Sequence, residues 1–341
     1  MAKSKKTKKQ ERKRKSRTLI LLLFLTIIMF GTSTYAWFTA NKVVTINSID
    51  VNVQASDGIQ ISTDGENWKS VIMNSDITTG AYSGNKNQLP QTITNVSTDG
   101  AVDQTAGTLK MYGATIDNDA TTGDYNIVTT KETESAGTLG KFVAFDIFLR
   151  VDQARPVYLT TSSSVLDTNP SQTGDKGLKN AARVAFVTLG NTPATSDVST
   201  IIGLNNPAST AIIWEPNTDQ HTAMATTVAA EYGVDISGSV TQYRGINQEI
   251  AQAQDLKKIV ASSTTYTTAM SPAIQTTYSY STYQVVFNPL SAGVTKVRVY
   301  LWIEGQDIDC ENNATGSSIQ YNIQLSTESS ASGSSSSSSN G

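Results

Sequence analysis

The chain has 341 residues, with 26 Lys and Arg against 29 Asp and Glu, one Cys and one His. Residues 1 to 36 hold 10 of the positive charges and 1 of the acids, which leaves 16 against 28 in the remainder, a formal −12. An acidic body without a basic patch argues against a nucleic-acid partner; Cys310 alone excludes an intrachain disulfide and paired-thiolate zinc sites, and His221 alone excludes multi-histidine metal sites.

Met1 to Arg17 carries the basic cluster, and the uncharged run Leu19 to Phe30 follows at once. This is the n-region and h-region of an export signal, in which the positive end stays cytoplasmic and the rest is directed outward. Thr34-Tyr35-Ala36 offers a signal peptidase a small-residue end, so cleavage is expected after Ala36, with Trp37 as the new N-terminus. The alternative reading is an uncleaved anchor, because Leu19 to Phe38 reaches the ~20 residues that span a hydrocarbon core. Either way membrane contact is confined to residues 19–38, and the protein is placed outside the cell or on its surface.

Residues 37–47 form an arm in which Phe38, Ala40, Val44 and Ile46 share one face, interrupted by Lys42. In the following strand the inward set is Ile49, Val51 and Val53, of opposite parity, so a bend is required near Asn47-Ser48. An apolar strand set off by a bend is suited to completing the sheet of a neighbouring subunit; the alternative is an edge strand within its own subunit.

Residues 48–325 read as one β-domain, large enough to bury a core without disulfides or metals. Ile49 to Ala55 alternates as a half-buried strand. Ser56-Asp57-Gly58 and Thr63-Asp64-Gly65 bracket a short strand, Ile59 to Ser62, which predicts a meander. Lys141 to Val151 is the strongest core strand, with Val143, Phe145, Ile147, Leu149 and Val151 on one face and Phe142, Ala144 and Phe148 making the other partly apolar. Val157 to Thr161 and Ala181 to Leu189 follow. Gln248 to Val260 carries Ile246, Ile250, Ala253, Lys257 and Val260 at helical spacing, which predicts the one short helix. Thr192 to Thr200 and Ala261 to Thr282 read as loops or edge strands. Lys296 to Glu304 places Val297, Val299, Leu301 and Ile303 inward and Arg298, Tyr300 and Trp302 outward, with Tyr283 to Phe287 as its expected partner. The Ser-rich tail, residues 326–341, is expected to be disordered, and it carries no sorting motif for cell-wall attachment.

Chemical motifs are sparse. Ser62-Thr63-Asp64-Gly65-Glu66-Asn67-Trp68 is one residue short of an Asp-box and reads as an Asp-Gly turn beneath a Trp. Asp117, Asn118, Asp119 and Asp124 gather carboxylates in one loop, and Glu304, Asp307 and Asp309 in another. Such clusters can bind calcium, but neither has the EF-hand pattern, and solvated acidic loops are expected. Asn95-Val96-Ser97 and Asn313-Ala314-Thr315 match the glycosylation acceptor. Cys310 and His221 could act together only if folding joined them; a buried thiol near the end of the last long strand is expected instead. No catalytic, cofactor-binding or metal site is assigned, and none of these motifs indicates an enzyme.

Gly31-Thr32-Ser33-Thr34-Tyr35-Ala36-Trp37-Phe38-Thr39 is similar to the signal-peptide end of bacterial proteins exported through a SipW-type peptidase. It resembles the TasA/camelysin family of surface and biofilm-matrix proteins, departing from it by the inserted Ser33-Thr34 and a more basic n-region. The resemblance implies a Gram-positive-type bacterium and a jelly-roll-like antiparallel β-sandwich able to polymerise by strand donation. The expectation is therefore a mainly β, non-enzymatic surface or matrix protein whose partners are the signal peptidase during export and then copies of itself or other surface proteins. The rival readings are an adhesin or glycan-binding module, favoured if Tyr278, Tyr280 and Tyr283 line a groove, and a secreted hydrolase. N-terminal sequencing of the secreted form should return Trp37 as the first residue; a surface species retaining Lys3 to Arg17 would identify an anchor instead.

Overall fold

The structure is a computed structural model that describes residues 48–56, 58–118, 125–168, 177–232, 244–256, 270–274, 276–278, 283–307, 309–310 and 318–329. The export signal, the Ala36/Trp37 junction and the arm with Phe38, Ala40, Val44 and Ile46 lie outside these residues. The elements begin with β1 (Ser48–Ala55), β2 (Gln60–Ser62), β3 (Val71–Ile72), α1 (Asn74–Thr78), β4 (Val102–Asp103), β5 (Thr108–Leu109), β6 (Met111–Asn118) and β7 (Tyr125–Glu132). They continue with β8 (Val143–Val151), β9 (Arg155–Leu159), β10 (Ser164–Asp167), α2 (Leu178–Ala181), β11 (Ala182–Thr192), α3 (Val198–Ile202), β12 (Ile212–Glu215) and α4 (Ala223–Tyr232). The remainder are β13 (Arg244–Ile246), β14 (Ile250–Leu256), β15 (Met270–Pro272), β16 (Thr276–Tyr278), β17 (Gln284–Leu290), β18 (Gly293–Ile303) and β19 (Ser318–Ser326). The protein is mainly β, and the helices among the described residues are all short. None of those described is long and apolar enough to cross a membrane.

Two six-stranded sheets dominate. The first runs β17-β9-β19-β1-β3, with β10 also paired to β19; the second runs β16-β12-β11-β18-β8-β2. Period-2 patterning explains how they meet. Phe145, Ile147 and Leu149 of β8, Val297, Val299 and Leu301 of β18, and Val184 and Phe186 of β11 point inward from the second sheet. They pack against Val51, Val53, Val157, Leu159, Tyr321 and Ile323 of the first. The sandwich closes at both sides. Ile61 and Lys69 exchange backbone hydrogen bonds of 2.8 Å beside β3, and Thr277 Oγ1 of β16 donates to the Val285 carbonyl of β17 at 3.2 Å.

The second sheet is covered on its other face as well. Phe142, Ala144, Ala185, Val187, Tyr300 and Trp302 pack there against Val96, Val102, Leu109 and Met111, supplied by the long connection between α1 and β7. Every residue of β18 is consequently buried. Arg298, Tyr300 and Trp302 face outward, as expected, and are buried there by this third layer.

Several expectations are corrected. The stretch expected to be helical contains β14, which pairs antiparallel with β7; Thr129 Oγ1 donates to the Gln248 carbonyl and accepts from Ile250 N, both at 2.7 Å, which fixes the segment as extended. Residues 257–260 lie outside the description. Among the described residues four short helices occupy other places, among them α3, which overlaps the end of a stretch expected to be loop or edge strand. The meander at the start does not form, because β1 and β2 belong to different sheets. β17 pairs with β9 rather than β18, whose two edges are already taken by β11 and β8. The sheets are mixed rather than purely antiparallel, since β1–β19 and β12–β16 run parallel. Ser326, assigned to the tail, is buried and pairs with Tyr158.

Phe145 is fully buried between the sheets, so Phe145→Ala should cost about 3–5 kcal/mol in urea denaturation. Val285→Ala, at a side chain whose residue is 40% exposed, should cost less than ~1 kcal/mol.

Candidate functional site

The third layer buries charge on the outer face of the second sheet in two places. In the first, Asp146 of β8 and Arg298 of β18 are direct cross-strand partners. Arg298 Nη1 donates to Asp146 Oδ1 at 2.6 Å, and Nη2 donates to the Lys86 carbonyl at 2.7 Å and to the Glu134 carboxylate. Two residues along β18, Lys296 Nζ lies 3.3 Å from Asp146 Oδ2 and donates to the Ile202 carbonyl at 2.7 Å. The Tyr82 hydroxyl donates to Asp146 Oδ2 at 2.7 Å, and the Tyr300 hydroxyl donates to Glu134 Oε2 at 2.8 Å. Burial opposes ionisation of Asp146, but the Arg298 and Lys296 charges outweigh it and hold the carboxyl below its ordinary value. Burial pulls the Lys296 ammonium below its ordinary value despite Asp146. Asp146, Lys296, Arg298 and Glu134 floor a cavity of about 240 Å³ whose walls come from Tyr82, Gly84 and Lys86 and from residues 106–108 and 202–205.

The second place is the end of β18 and the turn beyond it. Arg183 of β11, 1% exposed, donates from Nη2 to Glu215 Oε1 at 2.7 Å and to Asp307 Oδ2 at 2.5 Å. Asp309 Oδ1 accepts from Thr222 N at 2.8 Å, and its Oδ2 meets His221 Nδ1 at 2.6 Å, tying the start of α4 to the sheet. Glu304 is wholly buried and accepts from Trp302 Nε1 at 3.0 Å. Burial pushes the Glu304 carboxyl up to about 7. It also raises Glu215, and Asp307 despite Arg183. The hydrogen bond to Asp309 raises His221 against its own burial.

This overturns the solvated acidic loop expected at Glu304, Asp307 and Asp309: the loop turns inward because Arg183, His221 and Trp302 hold its carboxylates. Among the described residues no group of His, Cys, Asp and Glu is arranged to hold a metal ion. Cys310 is buried in the core between the sheets, and folding brings His221 to its neighbour Asp309. The Asp-Gly turn forms as expected, with Asp64 Oδ1 accepting from Glu66 N at 2.9 Å and Asn67 N at 2.7 Å. Trp68 is half-buried, with the Arg150 guanidinium 4.3 Å from its ring centre. In the acceptor triplet at Asn95, Ser97 is buried. Asp117 and Asn118 end β6, while Asp119, Asp124 and Asn313 lie outside the described residues. So does Tyr280; Tyr278 ends β16 and Tyr283 is half-buried.

No family model, curated protein or solved structure matches the chain. Reading the site therefore rests on its residues. No motif in the sequence singles out Tyr82, Glu134, Asp146, Arg183, Glu215 or Lys296, and alternation turns Arg298 outward without saying what it meets. The signal that pointed to them was the apolar outer face of β8, since a sheet covered on both faces must pair whatever charges it carries.

A group whose folded pKa is raised stabilises the fold in its protonated form. The Glu304 contribution is full below the ordinary 4.5 and lost as pH climbs through about 7; that of His221 is full below 6.5 and lost above it. Asp146 works in the opposite sense, its contribution being lost as pH falls below 3.8. The melting temperature should therefore decline from mildly acidic to mildly alkaline pH. Glu304→Gln should flatten the part between pH 4.5 and 7, which thermal denaturation across a pH series measures; an unaltered profile would contradict the assignment.

Proposed function

We propose that the chain is an exported, non-enzymatic structural component of a bacterial surface or extracellular matrix, assembling by strand addition. The reading takes its export from the basic and apolar N-terminal run, and its solubility outside the cell from the acidic remainder. It treats the sandwich as a jelly-roll-like variant with two parallel pairs. The observation that carries assembly is the incomplete edge of β1: β3 pairs only with Val53 and Gln54, so residues 48–52 have no strand partner on that side among the described residues. The arm of residues 37–47 immediately precedes β1 in the sequence. An apolar arm and an open edge in the same chain supply both halves of a β-augmentation contact, in which main-chain hydrogen bonds give affinity and alternate side chains give register.

Protein beginning at Trp37 should assemble on concentration, whereas protein beginning at Ser48 should remain monomeric, as followed by light scattering and electron microscopy. Equal assembly by both forms would sink strand addition by the arm. No assembly by either would leave an adhesin or glycan-binding module as the better reading.

A further inference from the structure

We propose that the cavity above Asp146, Lys296 and Arg298 is a binding site for a monosaccharide-sized ligand bearing one carboxylate, an acidic sugar. The site lies on the face of the second sheet turned away from β1, so it is independent of assembly through that edge. Its volume of about 240 Å³ equals roughly eight waters at ~30 Å³ each, the scale of one sugar ring. The floor alternates donors with acceptors: Lys296 and Arg298 beside Asp146, Glu134 and the Tyr82 hydroxyl. They are fixed by one another and by the Ile202 and Lys86 carbonyls before any ligand arrives, so little ordering remains to be done on binding. Leu189 and Leu204 add apolar wall for the carbon face of a ring.

Charge selects the acid. The lining holds Lys86, Lys296 and Arg298 against Glu134 and Asp146, one positive charge in excess, in a chain whose formal net charge is −3. Lys86 is exposed, and its ammonium has no ion-pair partner among the described residues, which leaves it available at the rim. In the floor, the Arg298 guanidinium is held in place by Asp146, Glu134 and the Lys86 carbonyl, and its positive charge faces the cavity from beneath. The rim also suits close approach. A Cβ on Gly84, at φ +78°, would meet nothing within 4 Å, and Gly107 leaves room for the Asn205 amide oxygen, 2.4 Å from where its own Cβ would stand.

The test is calorimetric titration of the protein from Trp37 onward with glucuronate, glucose and inorganic phosphate. Glucuronate should bind, and glucose should bind at least about tenfold more weakly for want of the carboxylate. Lys86→Ala keeps the carbonyl that Arg298 uses, so it should leave the melting temperature unchanged. It should weaken glucuronate about tenfold, the equivalent of 1.4 kcal/mol. Asn205→Ala serves as a second, independent variant, expected to weaken glucuronate without unfolding the protein. Absence of glucuronate binding at millimolar concentration, affinity unaltered in both variants, or binding of phosphate in preference to glucuronate would each overturn the proposal.

Discussion

A strand buried on both faces cannot leave any side chain to water, and that constraint organises this protein. β18 is such a strand, enclosed by β8 and β11 at its edges, the first sheet below and the inserted layer above. Its apolar positions fill two cores. Its charged positions, Lys296 and Arg298, are almost wholly buried and must be matched in place. Asp146 stands directly opposite Arg298, and Glu134 and Tyr82 are delivered by connections that exist to cover the sheet. Removing one member would strand the others in a low-dielectric site, which is more damaging than never having placed them there.

The strands were legible because alternation fixes parity: β1, β2, β8, β9, β11 and β18 fall where Val, Ile, Phe and Leu recur at every second residue. Parity gives the face but not what covers it. Arg298, Tyr300 and Trp302 therefore read only as outward, and the third layer that lies over them, contributed by residues about two hundred positions away, left no mark in the pattern. The same limit hid the charge clusters, whose members are assembled from Tyr82, Glu134, Asp146 and Lys296 by tertiary pairing alone. At Ile250 a spacing compatible with a helix lost to pairing with β7, where Thr129 binds the backbone on both sides of Glu249. Local pattern proposes and long-range backbone pairing decides.

The two charge clusters divide labour by composition. Around Asp146 the cations prevail, so the carboxylate stays ionised and the floor of the cavity keeps fixed dipoles. Around Arg183 the carboxylates outnumber their single guanidinium, and His221 and protonation share the remaining burden. The second cluster thus holds the group that responds to the neutral range, Glu304, although both clusters sit on the same face of the same sheet.

The parallel pairing of β1 with β19 has a mechanical meaning. Eight successive residues, from Ser48 with Ser318 to Ala55 with Leu325, are in register. The chain enters this ladder at one end of the sandwich and leaves β19 at the opposite end. Tension applied between the N-terminal side and the C-terminal tail would pull these neighbouring strands past each other lengthwise. The hydrogen bonds of the ladder would then bear the load together instead of opening one after another, so the sandwich resists stretching along the line that joins the start of β1 to the end of β19.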